Sequence, residues 1–500
     1  MFPSLLRLFA ISLLIAGCSF PTAPASAADA SKPNIILILA DDLGYGSLNC
    51  YGGKQLETPS CDRLAREGRR FTNAYAPGSV CSPSRYGLMT GRYLWRTAYS
   101  DGTGLGEAAP LVIETNRLTL GSLAKGQGYA TAAVGKWHLG LGMAKKTDWN
   151  APLSPGPLSV GFDYFFGLAA NVNNQPDAYI ENDQIFDHAP GQVVAIEGKG
   201  KDRKTVGVSP LRQPNEVMSK LTGKAVHWIE ENRSHPFFLY FAPNAVHEPV
   251  TPSGAFTGSP FGKYGDFIHE LDWSVGQILA TLEKDHLMSN TLIIFTSDNG
   301  GALNVHLEES MVALKAGLAI NGSLRDGKGS VWEGGFREPF IVWWPGKVPA
   351  GTVSEDVICL TDVLATLAGV MKAPLPAGNA EDSFDVGASW FGGSSSGTPR
   401  KNVVLQAEAA AEYAVREGPW KMIERLNPPP FQTSEKDIEK RIMDRRKHWP
   451  DHNELYNLAD DPAETKDVSA QHPDVVARLM QVLQDAREKH ATRPELAQKP

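Results

Sequence analysis

The sequence is short of several things, and each shortage excludes something. It has 5 cysteines in 500 residues and no C-x-x-C pair, which argues against a disulfide-built scaffold and against a structural zinc site. It has no excess of basic charge: 48 Lys and Arg against 56 Asp and Glu leave a net charge of −8. That balance argues against a protein that coats nucleic acid. It does not exclude a small anionic ligand, because a pocket can be positive on an acidic chain. There is no internal repeat and hence no sign of a repeat array. Beyond the first 28 residues no apolar run approaches the ~20 residues that a membrane-spanning helix needs. What is present is ordinary globular composition, 42 % hydrophobic and 21 % charged. Collagen-like, coiled-coil and wholly disordered chains are thereby out. The length accommodates one large α/β domain and a smaller one.

Residues 1–28 read as an export signal: Arg7, then the apolar run Leu8–Ala16, then Ala25-Ser26-Ala27 as a small-residue cleavage site. Ile15-Ala16-Gly17-Cys18 also resembles a bacterial lipoprotein box, in which Cys18 carries the lipid. Free export to the periplasm or beyond and lipid tethering at Cys18 both stay open. Either way the expectation is a protein working outside the cytoplasm, with Cys18 its one route to a membrane.

Short apolar runs at Ile35–Ala40, Ala130–Val134, Phe237–Ala242, Leu292–Thr296 and Phe340–Trp344 predict buried parallel strands. Helical patterns lie between them. Thr58-Pro59 opens one that ends near Gly68, and Leu271–Leu282 is another. Alternating strands and helices predict an α/β fold, a large and mostly parallel sheet sandwiched by helices. The texture changes after about residue 375. The expected organisation is a catalytic α/β domain at 29–390, a Gly/Ser-rich linker at 391–400, and a smaller C-terminal α+β subdomain at 401–500. That subdomain is expected to contain a charged helix at Glu435–His448 and an amphipathic one at Val475–Lys489. The mixed-sign run Lys436–Lys447 reads as a solvated helix face.

Chemistry gathers at strand ends. Ile35–Ala40 runs into Asp41-Asp42, and Leu292–Thr296 runs into Ser297-Asp298-Asn299-Gly300. One acidic pair after a strand is usually a cap or turn. Two strands delivering carboxylate and amide oxygens to one sheet edge suit a hard divalent cation. Pro83 near the front of a predicted helix puts Cys81 at the helix N-terminus, where developing negative charge is favoured, with Arg85 one turn on. A lone cysteine beside an arginine is ordinarily a small buried residue.

Cys81-Ser82-Pro83-Ser84-Arg85 followed by Leu88-Met89-Thr90-Gly91-Arg92 resembles the signature of formylglycine-dependent sulfatases, in the alkaline phosphatase superfamily. Further strings resemble that family's landmarks in order: PNIILILADDLGYGSLNCYG, TPSCDRLAREGRRFTNAYA, GKWHLG, HEP, TSDNGG, GKGSVWEGGFREP and ELYNLADDPAE. The resemblance spans nearly the whole mature chain. It implies that a formylglycine-generating or anaerobic maturation enzyme oxidises Cys81 to formylglycine. One hydroxyl of the hydrated aldehyde would attack sulfur and displace the alcohol; the other would then lose its proton, re-forming the aldehyde and expelling sulfate. It implies one metal ion, calcium rather than magnesium, held by Asp41, Asp42, Asp298, Asn299 and residue 81. Arg85 would steady the formylglycine, Lys136 and His138 would hold the diol and the sulfate, and His247 and Lys328 would bind sulfate oxygens. One of the last two would help protonate the leaving alcohol, where charge builds. His227, His235 and His306 are read as surface or capping residues, although His306 lies near the metal loop and could line the pocket.

The resemblance points to a sulfated carbohydrate of galactose or N-acetylgalactosamine type, with a 6-sulfate in view. Asn171, Asn173, Asn174 and Gln175 could meet sugar hydroxyls, and Trp95 and Tyr99 could stack on sugar rings. Two other readings remain: a phosphate or phosphonate ester hydrolase of the same superfamily, and a silent surface protein that binds glycans. Cys81 favours sulfate over phosphate. Ser47 and Cys61 depart from the family's usual residues at positions without catalytic roles, and Cys50 and Cys61 lie close enough in sequence to pair.

Overall fold

The computed structural model describes residue 1 and residues 32–493, apart from 55, 100–103, 145, 189–190, 199–201, 209–210, 304–307, 394–398, 409–411 and 427–445. The expected export leader, His306, half of the expected linker and most of the charged helix expected at Glu435–His448 therefore lie outside the described residues.

The chain runs through β1 (Asn34–Ala40), α1 (Pro59–Glu67), β2 (Arg69–Tyr75), α2 (Cys81–Thr90), α3 (Leu120–Gly126), β3 (Ala130–Lys136) and β4 (Tyr164–Leu168). The short β5 (Ile180–Glu181) and β6 (Gln184–Ile185) follow, then the ribbon β7 (Ala195–Glu197) and β8 (Lys204–Val206). Next come α4 (Val217–Asn232), β9 (Phe237–Ala242), α5 (Gly262–Lys284), β10 (Thr291–Ser297), α6 (Glu308–Lys315), α7 (Glu333–Phe336), β11 (Arg337–Trp343) and β12 (Thr352–Cys359). After α8 (Asp362–Met371) and α9 (Gly387–Trp390) the chain ends in β13 (Asn402–Gln406), β14 (Tyr413–Glu417), β15 (Trp420–Ile423), β16 (Glu454–Asn457) and α10 (Pro473–Glu488).

Ten strands form one sheet in the order β12-β2-β11-β10-β1-β9-β3-β4-β5-β6. Its centre, from β10 through β1, β9 and β3 to β4, is parallel. β1 shows why. Every residue of Asn34–Ala40 is buried, so both faces of the strand must be covered, and βαβ crossovers do this. Ile35, Leu37 and Leu39 join one apolar layer with α2, α3 and α8, while Ile36, Ile38 and Ala40 join the other with α1, α4 and α5. Each such Ile or Leu side chain contributes ~1.5–3 kcal/mol by leaving water.

All five expected strands form, but one runs the other way. The run at Phe340–Trp344 lies in β11, which is antiparallel to both β10 and β2. A wholly buried apolar run records burial, not direction, so its sequence matched a parallel strand equally well. The C-terminal sheet, β13-β14-β15-β16, is antiparallel throughout. Helix α10 packs Val475, Leu479 and Leu483 against Val404, Val415 and Met422 of that sheet. Among the described residues no helix is long and apolar enough to cross a membrane.

Candidate active site

The register of two strands builds the centre. β1 and β10 pair in parallel with Ala40 opposite Ser297. Each strand's next residues, Asp41-Asp42 and Asp298-Asn299, therefore emerge side by side at the carboxyl edge. All four are buried. Asp42 takes a left-handed backbone, φ +58°, a strained conformation for a non-glycine residue that surrounding contacts must hold. Here its N–H donates to Asp298 Oδ1 at 3.1 Å.

Cys81 is the first residue of α2, and all ten residues of that helix are buried. Its Sγ, standing where a formylglycine's oxygen atoms would be, lies 3.6 Å from Asp41 Oδ1 and 3.9 Å from Asp42 Oδ1. One atom from each of Asp41, Asp42, Cys81 and Asp298 lies within 4.8 Å of the others. Asn299 Nδ2 donates to Asp42 Oδ1 at 2.8 Å, while its Oδ1 is buried and unpartnered. A buried carbonyl oxygen without a donor lacks a positive partner. With three carboxylates beside it, the donor set fits a hard cation such as calcium.

Fixed cations surround this set. Arg85 is fully buried. Its Nε and Nη2 donate to Asp298 Oδ2 at 3.0 and 2.7 Å, and Nη2 also donates to Asp41 Oδ1 at 3.1 Å. It thus braces two carboxylates as well as flanking residue 81. Lys136 ends β3, and its Nζ lies 2.9 Å from both Asp41 oxygens and 3.3 Å from Cys81 Sγ. Lys328 Nζ lies 2.7 Å from Asp42 Oδ2 and 3.6 Å from Cys81 Sγ. Burial alone would raise the Asp41 carboxyl, but Lys136, His247 and Arg85 outweigh it and hold the pKa at about 2. Burial, reinforced by Asp298, pushes the Cys81 thiol up to about 12 despite the two lysines.

The two histidines have defined tautomers. His138 Nε2 lies 2.6 Å from Leu105 O, so Nε2 carries the hydrogen, and the buried Nδ1 has no partner. His247 Nδ1 lies 2.6 Å from Glu248 O, which leaves Nε2 as a bare lone pair 3.8 Å from Asp42 Oδ2. A carbonyl can only accept, which fixes both assignments. Burial first, then Lys328 and Lys136, lowers the His247 pKa to about 4. Burial, with Lys136 and Arg85, drives His138 well below its ordinary value. Both rings are neutral at pH 7.

Every residue singled out for chemistry therefore converges on one edge of the sheet. The suggested sugar contacts do not all follow. Trp95 is stacked on Tyr93 with Arg96 over its ring at 4.2 Å, and it packs with the C-terminal sheet. Tyr99 is partly buried and packs against the large core. The loop holding Asn171, Asn173, Asn174 and Gln175 is drawn together by buried Arg212, which donates to the carbonyls of Val172, Asn174, Pro176 and Ala178. No motif marks Arg212 in the sequence. Asn321 was also missed: its amide bonds both Gly301 and Asp326, joining the loop after β10 to the one that carries Lys328. His227 and His235 are exposed, as expected. Cys50, Cys61, Cys81 and Cys359 are all free thiols, so Cys50 and Cys61 do not pair.

A family model described as Sulfatase matches residues 33–373. The chain is 34 % identical to the N-acetylgalactosamine-6-O-sulfatase of Bacteroides thetaiotaomicron, over 95 % of this chain and 97 % of that protein. It is 36 % identical to the N-acetylgalactosamine-6-sulfatase of Sus scrofa, over 71 % of this chain and 65 % of that one. A solved structure from work on the metabolism of multiple glycosaminoglycans by Bacteroides thetaiotaomicron superposes with a TM-score of 0.83 at 35 % identity, covering 91 % of this chain and 99 % of that one.

Proposed function

The chain belongs to the sulfatase family and hydrolyses sulfate esters, and from that premise we propose that its substrate is a 6-O-sulfated sugar of the N-acetylgalactosamine or galactose type. The near full-length likeness to an N-acetylgalactosamine-6-O-sulfatase carries this reading. The work outside the cytoplasm that the leader implies suits such a substrate.

We further propose that Asp41, Asp42, Asp298 and Asn299 hold one calcium ion, and that Cys81 is converted to formylglycine. Held there, the ion would supply Lewis-acid polarisation of the sulfate, and a formylglycine at position 81 would supply the nucleophilic hydroxyl and an internal exit for sulfate. The charge balance supports the assignment. Arg85, Lys136 and Lys328 offset Asp41, Asp42 and Asp298, so a divalent ion leaves the site positive and ready for an anionic ester. Lys136 and Lys328, both within reach of the residue-81 side chain, orient it. The free Nδ1 of His138 is set to take a hydroxyl proton, since its ring is neutral and its tautomer fixed. Lys328 keeps its protons, because the Asp42 and Asp41 carboxylates raise its pKa against the effect of burial. It therefore brings positive charge to the leaving oxygen, while the bare Nε2 of neutral His247 can accept from a sugar hydroxyl and would meet the sulfate oxygens expected of it only once protonated.

The test is sulfate release from N-acetylgalactosamine 6-sulfate, galactose 6-sulfate and N-acetylgalactosamine 4-sulfate, with an aryl phosphate as control. The 6-sulfates should turn over fastest. Preference for the 4-sulfate would overturn the positional reading, and faster phosphate turnover would overturn the choice of ester.

A further inference from the structure

Two of the strings that carry the family resemblance, residues 327–339 and 454–464, meet in space through buried charge. Lys328 lies on a turn between Arg325 and Glu333. Glu464 grips both ends of that turn: its carbonyl accepts from Arg325 Nη1 at 2.6 Å, and its Oε2 accepts from the Glu333 N–H at 2.6 Å. Glu464 is fully buried and left-handed, φ +52°. A non-glycine residue holds that conformation only when its surroundings over-determine it. Its Oε1 lies 2.8 Å from Lys421 Nζ on β15, and Lys421 Nζ lies 3.2 Å from Glu333 Oε1. Glu333 Oε2 accepts from Tyr75 Oη at 2.8 Å and Arg337 Nε at 2.7 Å. The Arg325 guanidinium covers the Trp332 ring at 3.4 Å.

The turn's other side faces the reaction centre. The Lys328 N–H donates to Gly301 O at 3.2 Å, in the loop beginning at Asp298, and the Gly329 N–H donates to Ser79 O at 2.8 Å, just ahead of Cys81. The Lys328 backbone is thus suspended between residue 81's surroundings and the C-terminal sheet. A lysine head on a flexible stem is only as well placed as its backbone.

We propose that Glu464 is a positioning residue for Lys328, so that the C-terminal sheet sets where the Lys328 ammonium stands over residue 81. This rests on the reading of Lys328 as a group that meets the ester. A misplacement of ~1 Å in such a group costs on the order of 10²-fold in rate.

The experiment is a double-mutant cycle in the full-length, formylglycine-bearing enzyme: Glu464→Ala and Lys328→Ala, singly and together, read as kcat, KM and melting temperature. Glu464→Ala should lower kcat about 10–100-fold. Combined with Lys328→Ala it should change kcat less than about 2-fold, while lowering the melting temperature equally in both backgrounds. Glu464→Gln keeps an acceptor for the Glu333 N–H and should recover most of the rate. Arg325→Met removes the other tie, and its effect should likewise vanish without Lys328. These two variants carry the test if Glu464→Ala does not fold. Equal kcat losses with and without Lys328, or an unchanged kcat in the Glu464 and Arg325 variants, would overturn the proposal. An unchanged kcat in Lys328→Ala alone would instead overturn the role of Lys328.

Discussion

Arg85 illustrates what a single buried side chain must do here. Its planar fork spans Asp41 and Asp298 with no surface exposed to bulk solvent. A lysine would bring equal charge but could not bridge two carboxylates. Arg85→Lys should weaken calcium binding about 10–100-fold, read as a shift in the calcium concentration that restores the melting temperature after chelation. Unshifted calcium dependence would contradict this brace. Glu270, on α5, gives a second test. It is buried, and burial raises its carboxyl pKa to about 7 against an ordinary 4.5. Between those values the unfolded chain loses the proton and the folded one keeps it, so stability falls as pH rises through this window. Glu270→Gln keeps an acceptor for the Ser253 N–H and removes the penalty. At pH 8 it should be more stable than the parent by on the order of 2 kcal/mol, and at pH 4.5 about equal, by denaturant melts. Asp41, Asp42, Asp298 and Asn299 were legible because two separate buried strands end in them; one such end alone would have read as a cap or turn. Glu270 was not, since nothing in its neighbours announces burial.

At the scale of elements, the site depends on strands packed closely enough to bring their ends together. A Cβ on Gly135, one residue before Lys136, would stand 2.0 Å from Ala242 O, at a φ of +123°. Gly135→Ala should cost about 3 kcal/mol or more. Gly126→Ala, at the end of α3 with open space at its Cβ, should be neutral or stabilising. Thermal melts compare them, and a tolerated Gly135→Ala would show that the edge has slack. The central strands were readable because continuous apolar runs suit a sheet covered on both faces. β2 and β12 were not, since RRFTNAY and TVSEDVIC mix polar and apolar residues. The direction of β11 was hidden because no apolar run encodes it. Helix α1 was visible from its Thr58-Pro59 start, and the second half of α5 and nearly all of α10 from apolar spacing.

At the scale of the whole molecule, the C-terminal sheet is joined to the large one by a shared core. Tyr75, Val331, Phe336 and Cys359 pack with Val403, Leu405, Ile423 and Tyr456. Ending the chain at Arg400 would expose that layer and leave Glu333 without Lys421. The shortened protein should lose its cooperative melting transition in calorimetry, whereas an intact transition would show that the layer is dispensable. The net charge of −8 also reads differently once the fold is known. It averages over a molecule that concentrates Arg85, Lys136 and Lys328 where an anion must bind. The most direct measurement is sulfate released from N-acetylgalactosamine 6-sulfate by protein whose residue-81 peptide has been weighed, beside Cys81→Ala. Turnover should scale with the fraction of formylglycine and vanish in the alanine variant. Equal turnover from the unmodified thiol, or from alanine, would contradict the account.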